Sequence, residues 1–237
     1  MSELMERFLR AADRGGMLDL AKELTSRRDP TDVPALIACL ADHLEARREV
    51  AAWALAFWPN DSRAIRPLIQ VLDNPSETPA VRGQAAEAVR CHRARKALPS
   101  LVRGSRDASP EVRFWCVFAL GAFLSRRDRP REVVQALADR LTDVESPDGQ
   151  WPIRLEALAM LSPLSPYSEA FVHELERVRE DPAAAESEKN WAYFYWMPST
   201  LASKDGGAAA RSQRSGKPSN AVSVRPPLLH RPLDRVR

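Results

Sequence analysis

Apolar residues fall at helical spacing along most of this chain, and the spacing itself repeats. Val81-Arg82-x-x-Ala85-Ala86-x-Ala88-Val89 returns 31 residues later as Val112-Arg113-x-x-Cys116-Val117-x-Ala119-Leu120. Thirty-one residues before the first block lies Val50-Ala51-x-x-Ala54-Leu55-x-Phe57-Trp58, and 41 after the second lies Ile153-Arg154-x-x-Ala157-Leu158-x-Met160-Leu161. Between these blocks runs a second pattern: Leu36-Ile37-x-x-Leu40, Leu68-Ile69-x-x-Leu72, Leu101-Val102, then Leu137 and Leu141, with Phe171, Leu175 and Val178 starting a further unit. Two helices per block, at a period in the thirties, predict an all-α fold in which each block buries its apolar face on the next. The expected architecture is a right-handed α-solenoid of four to five helix pairs.

The same pattern sets boundaries. Residues 1–28 are expected to form capping helices over 2–12 and 17–27, broken at Gly15-Gly16. Residues 29–181 form the repeat domain, and residues 182–200 a C-terminal capping segment around Trp191–Trp196. Residues 201–237, rich in Ser, Pro and Gly with little periodicity, read as a disordered basic tail reaching on the order of 30 Å. Asp32, Ser109 and Ser165 stand at N-cap positions. Pro34, Pro79, Pro110, Pro130, Pro152 and Pro166 fall near first turns, where a missing N–H costs nothing.

The Val-Arg pairs, the small residues after them, the Ala-Leu-Pro-x-Leu run at 97–101 and Asp107, six residues before Arg113, together resemble the HEAT repeat family. The likeness is closest to its short bacterial, phycobilisome-lyase-type branch. It spans roughly residues 30–180 and departs from the family where Ala51 stands for the arginine and where the last spacing stretches. It implies that Arg82, Arg113 and Arg154 pair with aspartates of the preceding inter-helix turns, near Asp73, Asp107 and Asp143, in a ladder between units.

Composition adds constraints. The chain of 237 residues is 28% charged and 44% apolar, as ordinary globular proteins are. Five lysines against thirty arginines suggest a bacterium with GC-rich DNA. Residues 1–200 carry 27 basic and 30 acidic side chains, and residues 201–237 carry 8 and 2, so the net charge of +3 belongs to the tail. No stretch approaches the length of a membrane span and no signal peptide opens the chain, so a cytoplasmic protein with no membrane association is expected. Three cysteines, Cys39, Cys91 and Cys116, sit in helix patterns and read as reduced thiols.

Candidate chemistry is sparse. The helix at 110–124 is apolar nearly all round, which leaves Phe114, Trp115 and Phe118 facing the inner surface, with Trp53 and Leu155 at equivalent places. These five are the candidate partner-binding residues, unless the chain's own Trp191–Trp196 segment covers them. The turns after the second helices hold Arg63 and Arg66, then Arg90, Arg93, Arg95 and Lys96, then Arg126, Arg127, Arg129 and Arg131. The last two groups would make an anion-binding ridge along one edge. Cys39 and His43 share a helix face, and Cys91-His92 are adjacent, but no four-ligand metal spacing follows and neither a metal nor a cofactor is expected. The resembling iron hydroxylase acting on deoxyhypusine uses several His-Glu pairs; this chain has only His173-Glu174.

These features favour a non-catalytic scaffold or adaptor that binds another protein in the groove of the second helices. The alternatives are nucleic-acid binding through ridge and tail, similar to HEAT-like DNA glycosylases, and a chaperone of the bilin lyase type.

Overall fold

Proline and polar caps decide where the helices begin. The computed structural model describes residues 1–125, 127–147 and 151–205, with side chains as far as Tyr195. Among them an N-terminal pair, α1 (Glu3–Arg10) and α2 (Arg14–Arg27), precedes five further pairs. These are α3 (Val33–Cys39) with α4 (Glu45–Leu55), α5 (Ile65–Asp73) with α6 (Pro79–Cys91), α7 (Leu98–Gly104) with α8 (Pro110–Gly121), α9 (Arg131–Ala138) with α10 (Ile153–Leu161), and α11 (Tyr167–Glu180) with α12 (Glu186–Asp205). The described residues contain no strand, and the molecule is an α-solenoid.

Pro79 and Pro110 open α6 and α8, while Pro130, Pro152 and Pro166 immediately precede α9, α10 and α11. Several expectations change, two of the caps among them: Ser109 is the N-cap of α8 but makes no capping bond, and Ser165 lies one residue before the N-cap of α11. Gly15-Gly16 do not separate the first two helices; they lie in the first turn of α2, where the Asp13 carboxylate accepts from the Gly16 N–H at 2.8 Å. Asp32 precedes α3 but does not cap it, because its buried carboxylate instead accepts from the Ser2 N–H and hydroxyl at 2.6 and 2.7 Å. Residues 201–205 continue α12 as helix, since propagation from an established helix adds a bond for each residue fixed. Residues 206–237, the rest of the expected tail, lie outside the described residues.

Second helices pack against second helices. The contacts of α4 with α6, α6 with α8 and α8 with α10 are far more extensive than those of α5 with α7 or α7 with α9. Helices that approach closely on one side and spread on the other curve the stack toward the close side, so α4, α6, α8 and α10 line the concave face. Glycines permit close approach, Gly83 and Gly121 between successive second helices and Gly104 between α7 and α8 within one unit. A Cβ at Gly83 would stand 2.5 Å from the Trp115 ring, one at Gly104 would stand 2.4 Å from Cys116 Sγ, and one at Gly121 would strike Met160.

Arginines lock one unit to the next, in the opposite direction from the one expected. Arg82 donates to the Leu72 carbonyl behind it at 3.1 Å, but its carboxylate partner is Asp107, ahead, at 2.5 Å. Arg113 likewise holds the Asp107 and Ala108 carbonyls of its own turn and pairs forward with Asp143 at 2.8 Å and with Glu145. Arg154 reaches forward to Glu174 at 2.8 Å and to Glu188. Asp73 belongs instead to Ser100 and Arg103. In the first unit Arg48 does the work, one turn before Ala51: it holds the Asp42 carbonyl and grips Glu77 with two bonds at 2.7 and 2.9 Å. These pairs are largely buried, so losing one partner strands a charge out of water.

Candidate partner-binding face

Trp53, Gln84, Trp115 and Glu156 occupy the same register on α4, α6, α8 and α10; one turn further, Ala56, Glu87, Phe118 and Ala159 do the same. This double row is the inner face. Its central feature is a charged group on an aromatic one. Glu87, buried, accepts two bonds at 2.6 Å from the Arg90 guanidinium, an i, i+3 pair on one helix. The guanidinium carbon lies 4.8 Å from the centre of the half-buried Phe118 ring, within cation–π range. Glu87 neutralises the charge and fixes its direction, which makes the arrangement rigid before any partner arrives. Arg90 was expected on the turn ridge; the bond to Glu87 draws it inward instead.

The five predicted docking residues divide. Phe114 and Leu155 are fully buried and are corrected to core positions. Phe114 meets Trp115 and Trp151 edge-on, with centroids 5.4 and 6.1 Å apart. Leu155 packs in a separate small core with Val178, Trp191 and Ala192. Trp115, against Gly83, is 5% exposed, and Trp53, tilted against Phe57 at 4.9 Å, is 8% exposed. Phe118 is the one of the five that keeps a substantial open surface.

What covers the C-terminal part of the stripe is the chain itself. Trp151 stands between Phe114 and Phe194, 5.2 Å from the latter, and Trp191 and Tyr195 close around Phe171. At the centre of this cluster Glu156 is completely buried. The Tyr195 hydroxyl donates to it at 3.0 Å, and the Trp151 indole N–H donates to its other oxygen. Burial pushes its carboxyl up to about 7, against the opposing pull of these donors and of the Arg90 charge. Nothing in its sequence surroundings marked this glutamate, because Trp151 and Tyr195 come from opposite sides of it in the chain.

The ridge residues lie on the turns. Arg93, Arg95 and Lys96 are exposed, and so are Arg127, Arg129 and Arg131; Arg126 lies outside the described residues. Arg95 ties the two turns together through Asp128 at 2.6 Å. Away from the ridge, at the C-terminal end of α7, Arg103 pairs with Asp73 and Arg106 with Asp139.

The thiols are held protonated. Burial raises Cys39 to about 11 and Cys91 to about 12, and raises the wholly enclosed Cys116 further. Cys39 is buried while His43 faces solvent, so the two do not converge. His92 Nε2 sits 3.1 Å from the Leu55 carbonyl, and burial lowers its proton affinity. Among the described residues no three His, Cys, Asp or Glu side chains are placed to share a metal, and no helix is long and apolar enough to cross a membrane.

Comparison with known proteins agrees with this geometry. A family model described as HEAT repeats matches residues 65–162, the stretch from the start of α5 to the end of α10. Over residues 65–162 the chain is similar to HEAT repeats. This stretch forms the middle of the array, three helix pairs with three of the ladder arginines near the starts of their second helices. Among solved structures, a designed armadillo repeat protein in complex with the peptide (KR)4 is 19% identical, over 81% of this chain and 97% of that one, with a TM-score of 0.50. The complex of CpcE and CpcF of phycocyanin lyase from Nostoc sp. PCC7120 is 20% identical, over 68% of this chain and 62% of that one, with a TM-score of 0.48. At these identities the likeness concerns the fold alone. No curated protein matches the chain.

Proposed function

We propose that this protein is a non-catalytic scaffold that binds a segment of another protein along its concave face, centred on Phe118. The Arg90–Phe118 pair carries the reading. An aromatic ring left half-open at the middle of a concave surface, beneath a guanidinium already oriented by a buried carboxylate, is the kind of preorganised anchor that dominates interface energetics. Trp53 and Trp115, both buried, pack beneath the face rather than forming it. A solenoid of HEAT repeats supplies the extended inner face such a segment needs.

Photocrosslinking tests this. A photoreactive residue placed at Phe118 should capture a partner in the native host; one placed at Gln135, exposed on outer helix α9, should not. Phe118→Ala and Arg90→Ala should each weaken capture by the purified protein at least tenfold while helical content stays the same. Equal capture from both positions, or binding unaffected by both substitutions, would place the contact elsewhere. The ridge is a weaker candidate for nucleic acid, because Asp128 lies within it and already pairs with Arg95.

A further inference from the structure

The last helix pair holds an open groove with a polarity gradient along it. Helices α11 and α12 run antiparallel: Arg177 of one lies 3.6 Å from Glu188 of the other, and Phe171 meets Tyr195 edge-on at 5.7 Å. Between them is a mostly apolar cavity of about 510 Å³, floored by Leu175, Val178 and Ala192. Val172, 52% exposed, and Tyr193, 61% exposed, line one end of it. Arg179 and Lys189 line the other end, beside the turn that joins the helices. From the apolar end to the cationic end is about 10 Å along α11 and about 6 Å along α12 at the α-helical rise.

We propose that this groove binds a small amphiphilic carboxylate of the medium-chain fatty acid class, its head between Arg179 and Lys189 and its chain lying toward Val172 and Tyr193. Charge selects the head. Glu174 and Glu188 are held by Arg154 and Arg177, and Asp181 pairs with Arg177, which leaves Arg179, Lys189 and Glu176 as the groove's own charged lining, net positive. Lys189 Nζ donates to the Pro182 carbonyl at 3.1 Å and has further N–H groups to give. Arg179 meets Glu180 at 3.0 Å on exposed surface, where water weakens the pair. A carboxylate can accept from both cations at once. Glu176, between the two ends of α11, disfavours an anion midway along the groove, and a cationic head would meet two like charges.

Size and lining select the chain. Clefts that take small molecules enclose about 300 to 1,000 Å³, with mostly apolar walls and a few polar groups that set orientation. Here the polar groups stand at one end only, so a ligand with one charged end and an apolar body satisfies both halves.

Calorimetric titration of the full chain with decanoate, below its micellar concentration, tests the proposal. One decanoate should bind per chain, at least tenfold more tightly than decyltrimethylammonium, which carries the same chain on the opposite charge. Shortening the acid should weaken binding by about two- to fourfold for each methylene removed. Arg179→Glu alters an exposed side chain and should reduce decanoate affinity at least tenfold with helical content unchanged. Tyr193→Asp should weaken it from the other end of the groove, whereas Phe118→Ala, on the concave face, should leave it unaltered. No saturable binding, equal binding of the two amphiphiles, or an affinity indifferent to both groove variants would overturn the proposal. So would a wild-type dimer in sedimentation that Tyr193→Asp converts to a monomer, which would assign the groove to a second copy of the chain.

Discussion

The two ends of this solenoid are finished differently. At the N-terminal end Met5, Phe8 and Met17 are completely buried, and Ser2 is stapled to Asp32 thirty residues away. At the C-terminal end α11 fully buries only Val178, and Val172 and Tyr193 stand in the open. The N-terminal pair joins the main core, whereas Leu155, Val178 and Trp191 form a small core of their own around an aromatic cluster. An array whose units touch only their neighbours has no other way to protect its ends than to build each one separately. Here one end is sealed by packing into the main core. The other is sealed by aromatic rings gathered on a carboxyl group, which leaves its outermost face uncovered.

The largest expected effect compares the same substitution at the two ends. Phe8→Ala empties a fully enclosed site and should cost about 3–5 kcal/mol. Phe171→Ala removes a half-buried ring and should cost roughly half as much. Urea titration of both variants, followed by circular dichroism, measures the difference. Equal losses would mean that the C-terminal pair is as firmly built as the N-terminal one.

Glu156 gives the C-terminal end a pH dependence. Its carboxyl sits at about 7 in the folded protein and near 4.5 when unfolded. Between those values the folded state keeps a proton that the unfolded chain has released, so stability falls as pH rises through the window. The contribution is fully present below pH 4.5 and lost above 7, and its size is about 3 kcal/mol. Glu174 behaves oppositely: hydrogen bonds from Arg177, then Arg154, hold it at about 2, so its contribution is lost only as pH falls from 4.5 toward 2. His92, whose proton affinity burial lowers, acts in the same window with the opposite sign, so Glu156 is isolated by comparing the wild type with a variant at position 156. Glu156→Gln keeps an acceptor oxygen for Trp151 and turns an amide N–H toward the Tyr195 hydroxyl, reversing that bond, but cannot ionise. Its stability relative to the wild type should rise by that amount between pH 4.5 and 8. A constant difference would show that water reaches the carboxyl.

How far the sequence reveals all this depends on the distance over which each feature is made. Helix pairs and their stacking are local and periodic, and the blocks beginning at Val50, Val81, Val112 and Ile153 announce them. The ladder arginines were legible as a column, but their direction was not, because Asp107 and Asp143 lie nearer in sequence to the wrong arginine than to the right one, which is 25 and 30 positions away. Arg48 was missed since an alignment anchored on Val50 puts Ala51 in its place; a residue one turn earlier shares the same helix face. On the candidate site the aromatic stripe could be read and its burial could not. Phe114 is covered by Trp151 from 37 positions away, and Leu155 by Trp191 from 36. Arg90 carried a local signal, Glu87 three residues before it, which the density of nearby turn arginines hid.

The smallest expected effect is a change of sign between the two ends. Arg28 ends α2 in the left-handed region, with φ 53°, where a side chain costs energy and glycine does not. Arg28→Gly should therefore stabilise the N-terminal end by up to about 1 kcal/mol, even after losing the 3.3 Å bond from Nε to the Thr25 carbonyl. Asp181 ends α11 at φ −85°, an ordinary extended conformation, and its carboxylate accepts from the Ala183 N–H at 2.8 Å. Asp181→Gly adds backbone freedom to the unfolded chain and removes that bond, for a loss of about 1 kcal/mol. Paired thermal melts read both. If the substitutions act in the same direction, backbone conformation is not what distinguishes how the two helices stop, and the difference between the ends lies in side-chain packing alone.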